Sequence, residues 1–191
     1  MTVITGGIGC GKSVVSQLLR VMGYSVYDCD REARRLMADD PELRDALANA
    51  FGQETFMADG SLNRTYLATR IFNDRGRLAQ MNAIVHPAVA RDIVRRRNAI
   101  GQDKTFFVET AIYYESGFGQ LIEAQQVWCV AAPLELRISR AMARDNAPRE
   151  KILERINSQM PQEEKIRLAN AVIWNDETHS VIEQVNSLLG K

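Results

Sequence analysis

The chain has little cysteine, histidine, proline or aromatic side chain, and no long apolar run. Its three cysteines, Cys10, Cys29 and Cys129, are odd in number and far apart. That spacing excludes a disulfide framework and a zinc pattern. Free thiols suit a reducing compartment, so a cytoplasmic location is expected. Two histidines, His86 and His179, are too few for a histidine-based metal centre. No stretch approaches the roughly 18 apolar residues of a membrane span. No basic segment leading into an apolar one opens the chain, so a signal peptide is not expected. There is no excess of either charge, since 24 basic side chains balance 24 acidic ones. A general binder of nucleic acid or of anionic membranes needs a net basic footprint, so both are excluded as partners. Internal repeats and low-complexity tracts are absent as well.

What is present is enough for a core. Of 191 residues, 46% are hydrophobic and 25% charged. That fits one α/β domain with room for an inserted subdomain. Only five of the 24 basic residues are lysine. Arginine is the better fork for phosphate oxygens, although a compositional bias would give the same count.

Val3-Ile4-Thr5 reads as a buried strand running into a glycine-rich stretch. A helix follows from Lys12 to about Met22, with Val14, Val15, Leu18, Leu19 and Met22 at helical spacing. Gly23 closes that helix, and Ser25 to Tyr27 is a second strand, so the chain opens as the βαβ start of a parallel sheet. From Arg31 to Ala99 no strand is evident. Arg31–Ala38, Pro41–Ala50, Arg64–Phe72, Arg77–Val85 and Ala88–Ile100 read as helices, with a turn at Asp59-Gly60. So many helices exceed a simple crossover and predict an inserted helical subdomain. Strands resume at Thr105–Val108, Gln126–Ala131 and Ala171–Trp174. Helices are expected at Leu134–Arg144, Arg149–Met160, Gln162–Ala169 and Thr178–Leu189.

Gly6-Gly7-Ile8-Gly9-Cys10-Gly11-Lys12-Ser13 matches the P-loop pattern G-x-x-x-x-G-K-[ST] in full. Glycines let successive N–H groups converge on phosphate oxygens, and the following helix turns its positive end to the same anion. Lys12 is placed for the β- and γ-phosphates of a nucleotide, and Ser13 offers a hydroxyl to Mg²⁺. Asp28 and Asp30 end the second strand, where ligands of open α/β sheets sit. Alternation in an extended segment turns one of them to the phosphate site, where a carboxylate could take a proton from an attacking hydroxyl. Asp30 could instead simply cap the next helix. Arg137, Arg140 and Arg144 share one helix face, with Arg149 just beyond. They read as forks for a transferred phosphoryl group, or as a solvated face paired with Glu135 and Asp145. Glu109 ends a strand where P-loop proteins often keep an acid near Mg²⁺, or it is an edge carboxylate in solvent. His86 is a lone histidine, of a kind that is more often structural. The D-x-x-G and N-K-x-D patterns of GTPases are not found, which disfavours switch-type signalling. A small-molecule kinase is the leading reading. A module that senses ATP without catalysis is the rival from another class.

Beyond the P-loop, an ordered set of motifs is similar to the dephospho-CoA kinase family along nearly the whole chain. Thr5-Gly6-Gly7-Ile8-Gly9-Cys10-Gly11-Lys12-Ser13 resembles its T-G-G-I-G-S-G-K-S, and Asp28-Cys29-Asp30 its D-A-D, with Arg34 a few residues on. Asp59-Gly60-Ser61-Leu62-Asn63-Arg64 resembles D-G-x-L-x-R, and Met81-Asn82-Ala83-Ile84-Val85-His86-Pro87 resembles L-N-x-x-x-H-P. Arg140 to Asp145 with Arg149-Glu150 and Gln159 resembles the lid motif. The resemblance implies ATP-dependent phosphorylation of the ribose 3′-hydroxyl of dephospho-CoA, with ATP and Mg²⁺ as cofactors. It implies Asp30, Lys12 and Arg140 as catalytic residues. It places ATP on Gly7, Ile8, Gly9, Cys10, Gly11, Lys12, Ser13, Val14, Arg144, Arg149 and Asn175, and the metal on Ser13. It places the acceptor on Asp30, Arg34, Arg64, His86 and Glu115. The chain departs from the pattern at Cys10, Val14, Thr110-Ala111, Tyr113, Asn170 and Glu177, where serine, threonine, proline, leucine, aspartate and glycine are usual.

The expected molecule is therefore an α/β P-loop three-layer sandwich with a parallel sheet of about five strands, in a single kinase domain over 1–191. Its core is 1–30, 101–139 and 170–191, its acceptor-binding helical insert 31–100, and its helical lid 140–169. A monomer or small homo-oligomer is expected, with ATP and dephospho-CoA as small-molecule partners. The nearest alternative is the same architecture acting on another acceptor, a nucleoside monophosphate or shikimate.

Overall fold

A computed structural model of the chain describes residues 1–71, 74–101, 104–115 and 117–191. They form two compact units, one from 1–28 with 101–191 and one from 29–100.

The first unit is built on a sheet. Its strands are β1 (Thr2–Thr5), β2 (Ser25–Asp28), β3 (Phe106–Glu109), β4 (Gln126–Ala131) and β5 (Ala171–Trp174). All neighbouring pairs are parallel, in the order β2-β3-β1-β4-β5. The order reverses direction at β1, so the crevice at the carboxyl end of β1 is the place where such a sheet receives a ligand. β1 and β4 are buried along nearly their whole length because helices cover both faces of a parallel sheet. Helix α1 (Lys12–Val21) and helix α9 (Val181–Leu188) lie over one core. There Ile4, Val15, Leu19, Phe107, Trp128, Val130, Ile173 and Val185 are buried together. Fully burying each of the larger side chains contributes about 1.5–3 kcal/mol. Phe107 stacks between Tyr24 and Trp128, with centroids 5.5 and 5.3 Å away. Helices α6 (Leu134–Asp145), α7 (Arg149–Asn157) and α8 (Gln162–Leu168) complete this unit.

The second unit is helical: α2 (Cys29–Asp39), α3 (Pro41–Phe51), α4 (Arg64–Ile71) and α5 (Arg75–Ile100). Asp40 caps α3 by accepting from the Leu43 N–H, and Pro41 sits in the first turn, where its missing donor is harmless. Leu36, Leu43, Leu47, Phe51, Leu67, Val85, Val89 and Ile93 are buried. The expected turn is present: the Ser61 N–H bonds the Asp59 carboxylate at 2.9 Å, and Phe56 pairs with Leu62 across it.

Two expectations need correction. Helix α5 runs unbroken through Pro87, where the sequence suggested a break between Val85 and Ala88. An interior proline costs about 3 kcal/mol, and burial of Val85, Ala88, Val89 and Ile93 around it offsets that. Helix α2 starts at Cys29, directly after β2. Asp30 thus lies in the first helical turn and is not a cap, and strand alternation does not apply to it. The end of the expected Arg64–Phe72 helix, Phe72, lies outside the described residues.

Candidate active site

The site of the first unit starts from the loop between β1 and α1. Gly11 stands just before α1 with φ 93°, and a Cβ there would come within 1.9 Å of the Asn175 amide nitrogen. Only glycine allows both the left-handed backbone and that approach. Helix α1 carries no acidic residue in its first turn and no side-chain cap, so its N-terminal amides keep their positive end for an outside anion. The Lys12 ammonium folds back on the loop and donates to the carbonyls of Gly6 and Gly7 at 3.1 and 3.2 Å. Ser13 and Val14 are exposed at the head of the helix, while the Cys10 side chain is fully buried in the core. Cys10 therefore offers the loop its backbone and not its thiol.

Several side chains hold this loop. Asn175, just after β5, donates to the Cys10 carbonyl at 3.0 Å and anchors its own N–H on Ala131. Its carbonyl accepts from Arg140 at 2.9 Å, and Glu177 lies 3.7 Å from the same guanidinium. The Ile8 N–H donates to the Gln159 side chain, and its carbonyl accepts from Arg137 Nε, both at 3.0 Å. The Ile8 side chain packs on Ile138, Ala141 and Ile152 of α6 and α7. The Gln162 side chain accepts from the Ala132 N–H at 3.1 Å, fixing the start of α8 to the end of β4.

Two carboxylates end neighbouring strands, since Asp28 stands opposite Glu109 in the β2–β3 register. Burial raises Glu109 above the ordinary carboxylate range. Asp28 pushes the same way, and Lys12 and Arg20 oppose it. Among the described residues no cluster of three or more histidine, cysteine or acidic side chains could itself hold a metal. That fits Mg²⁺, which takes one or two hard oxygen ligands from the protein and the rest from water and phosphate. The Ser13 hydroxyl and these two carboxylates are donors of that kind.

The remaining arginines do not converge with Arg140. Arg144 forms a two-point bond with Asp145 at 2.7 and 3.0 Å, and Arg155 joins from the other side at 2.6 Å. Arg144, then Arg155, hold that carboxyl far below its usual range. Arg149 pairs with Glu135 at 2.8 and 2.7 Å on the exposed surface. Both arginines are thus paired with neighbouring carboxylates in the protein without nucleotide. Glu115, expected at the acceptor, is instead bonded at 2.6 Å to Lys165, whose side chain is fully buried and also donates to the Ala111 carbonyl.

The acceptor candidates of the second unit are spread over its helices. Asp30 and Arg34 are exposed, one turn apart on α2, and share a face. Arg64 is exposed at the start of α4. His86 is half-buried in α5, and burial lowers its pKa, so its neutral form is favoured near pH 7.

Sequence reasoning leaves Gln159 and Lys165 out of the candidate set. It reads Arg137, with Arg140 and Arg144, as a fork for a transferred phosphoryl group. For Gln159 the family motif was the one signal, and for Lys165 there was none, because a buried lysine reads as a surface one.

A family model described as dephospho-CoA kinase matches residues 1–180. A dephospho-CoA kinase of Bacteroides fragilis is 44% identical over 186 residues, covering 97% of this chain and 89% of that protein. A crystal structure from Thermus thermophilus superposes with a TM-score of 0.82 at 35% identity, over 99% of this chain and 95% of the other. Dephospho-CoA kinase from Campylobacter jejuni superposes with a TM-score of 0.70 at 23% identity, over 99% and 94%, and shares the fold. With a P-loop held between β1 and α1 and a family match running from its first residue, this chain belongs to the dephospho-CoA kinase family.

Proposed function

We propose that the chain transfers the γ-phosphoryl group of ATP to the ribose 3′-hydroxyl of dephospho-CoA, giving coenzyme A and ADP. The observation that carries this reading is the P-loop itself: uncapped helix amides and Lys12 on one glycine-rich turn, in a chain matched to that family over 1–180. Lys12 and the amides following it hold the β- and γ-phosphates, and Arg140 meets the charge on the moving group. Asn175 orders the adenine side of the site. Ser13 would hold Mg²⁺ together with the nucleotide, and the metal would there supply neutralisation of phosphate charge. Asp30 takes the proton of the 3′-hydroxyl as its oxygen bonds to the γ-phosphorus and the bond to the β–γ bridging oxygen breaks. Arg34, Arg64 and His86 bind the acceptor. Segment 140–169 acts as a lid whose closure excludes water, the competing acceptor. Among the described residues no helix is long and apolar enough to cross a membrane. The three cysteines are buried free thiols, which suits the reducing cytoplasm we assign to the enzyme.

A coupled ADP-release assay across acceptors tests the reading. Dephospho-CoA should turn over, and nucleoside monophosphates and shikimate should not. Turnover with one of those and none with dephospho-CoA reassigns the acceptor. Asp30→Ala should abolish transfer and leave ATP affinity within a few-fold, whereas Lys12→Ala should damage both. An Asp30→Ala protein of full activity would return the base to Asp28.

A further inference from the structure

Arg137 is an unusual residue for its place. It sits in the first turns of α6 with only 5% of its surface exposed. A guanidinium that deep is normally matched by a carboxylate, because an unpaired buried charge is strongly disfavoured. Among the described residues no acid pairs with Arg137. Its one hydrogen bond runs from Nε to the Ile8 carbonyl at 3.0 Å. Its terminal Nη2 lies against Gly7, so close that a Cβ there would be only 2.3 Å away. A side chain at the second P-loop glycine would push this guanidinium aside, and it is that approach, not a left-handed backbone angle, that favours glycine there.

The other cations of this region are accounted for. Lys165 is paired with Glu115, and Lys12 rests on two loop carbonyls. The buried Cys129 thiol marks the field they share. Burial and the Cys10 thiol push it up to about 12, while Lys165, Lys12 and Arg137 pull against that. Arg137 therefore adds positive charge at the base of the P-loop that no acid among the described residues cancels.

We infer that Arg137 is a positioning residue with an electrostatic function: it grips the P-loop through Ile8 and leaves its charge for the phosphates of a bound nucleotide to neutralise. This rests on the nucleotide reading given above and adds a residue to it. One consequence separates it from ordinary packing. The lone cation burdens the protein without nucleotide and favours the protein with it. Removing the charge should move stability and affinity in opposite directions, whereas loss of a merely structural contact lowers stability and leaves affinity alone.

The test compares Arg137→Gln, which is neutral but still able to donate to Ile8, with Arg137→Lys, which keeps the charge. Thermal unfolding without ligand and calorimetric titration with ATP and Mg²⁺, and separately with tripolyphosphate, are the measurements. The glutamine variant should melt at or above the parent temperature. It should bind ATP and tripolyphosphate about tenfold more weakly, as expected for one charge-assisted interaction. The lysine variant should lose about threefold or less. Equal losses in the two variants, unchanged affinity in the glutamine variant, or failure of that variant to fold each overturn the inference. If the parent protein itself takes up no ATP, the nucleotide reading falls and this inference with it. If the parent binds and the variants match it, this inference alone is lost.

Discussion

Glu177 has φ 72°, a left-handed backbone that glycine adopts freely and glutamate does not. Its exposed carboxylate reaches Arg140 only at 3.7 Å, and an exposed ion pair of that length stabilises little. Glu177→Gly should therefore stabilise the fold by about 0.5–1 kcal/mol, seen as a higher denaturant midpoint with an unchanged slope. Glu109 makes a pH-dependent prediction. Its pKa in the folded protein is raised above the ordinary 4.5, chiefly by burial. The protonated form is thus favoured by folding, and stability declines as the pH rises through the folded value. Glu109→Gln holds the neutral form at every pH. It should unfold at a higher temperature than the parent at pH 8, with the gap closing as the pH falls toward 4.5. A gap that widens on acidification would reverse the assigned sign.

Among the elements, α2 and α5 are joined by charge as well as by apolar packing. Glu32 and Asp92 are buried at 3% and 4% exposure. Arg35 bridges them, at 2.7 Å to Glu32 and 3.2 Å to Asp92, while Arg31 and Arg96 add bonds to Glu32 and Arg95 and Arg96 bond Asp92. The arginines around Asp92 are 37–72% exposed and can turn to water once it is gone. Asp92→Ala should therefore cost about 1–3 kcal/mol in urea unfolding, mostly from the lost charge-assisted hydrogen bonds. Arg149→Ala, at the exposed pair with Glu135, should leave the urea midpoint nearly unchanged in the same assay. These two helices also show how sequence reasoning fails at element scale. The α5 pattern, read locally, ends at Pro87. Its continuity comes from the core of the helical unit, whose burial outweighs one lost backbone bond.

For the molecule as a whole, nucleotide uptake should appear as stability. A ligand that binds only the native state stabilises it by RT ln(1 + [L]/Kd), about 2.7 kcal/mol at a hundredfold excess over Kd. For a chain of this length that is a rise in Tm of about 5–10 °C with ATP and Mg²⁺, measurable by scanning calorimetry. Lys12→Ala should reduce the rise sharply. Net charge is zero, so a nonspecific polyanion such as heparin should give little shift, and a large one would contradict the charge argument.

By itself the sequence determined the elements whose signal is local. Glycine spacing marked the P-loop, and apolar periodicity marked α1. These sufficed to expect Lys12 and Ser13 at the loop, and the family motifs added Asn175 as a nucleotide contact. Tertiary structure alone decided what each charge faces. Arg140 bonds Asn175, Arg144 and Arg149 turn to neighbouring carboxylates, Glu115 closes on buried Lys165, and Arg137 lies against Gly7 and bonds Ile8. The physical reason is range. A helix or a glycine-rich turn is specified within a few residues, whereas the partner of a charged side chain is chosen by segments 50 or 129 positions away that meet only after folding.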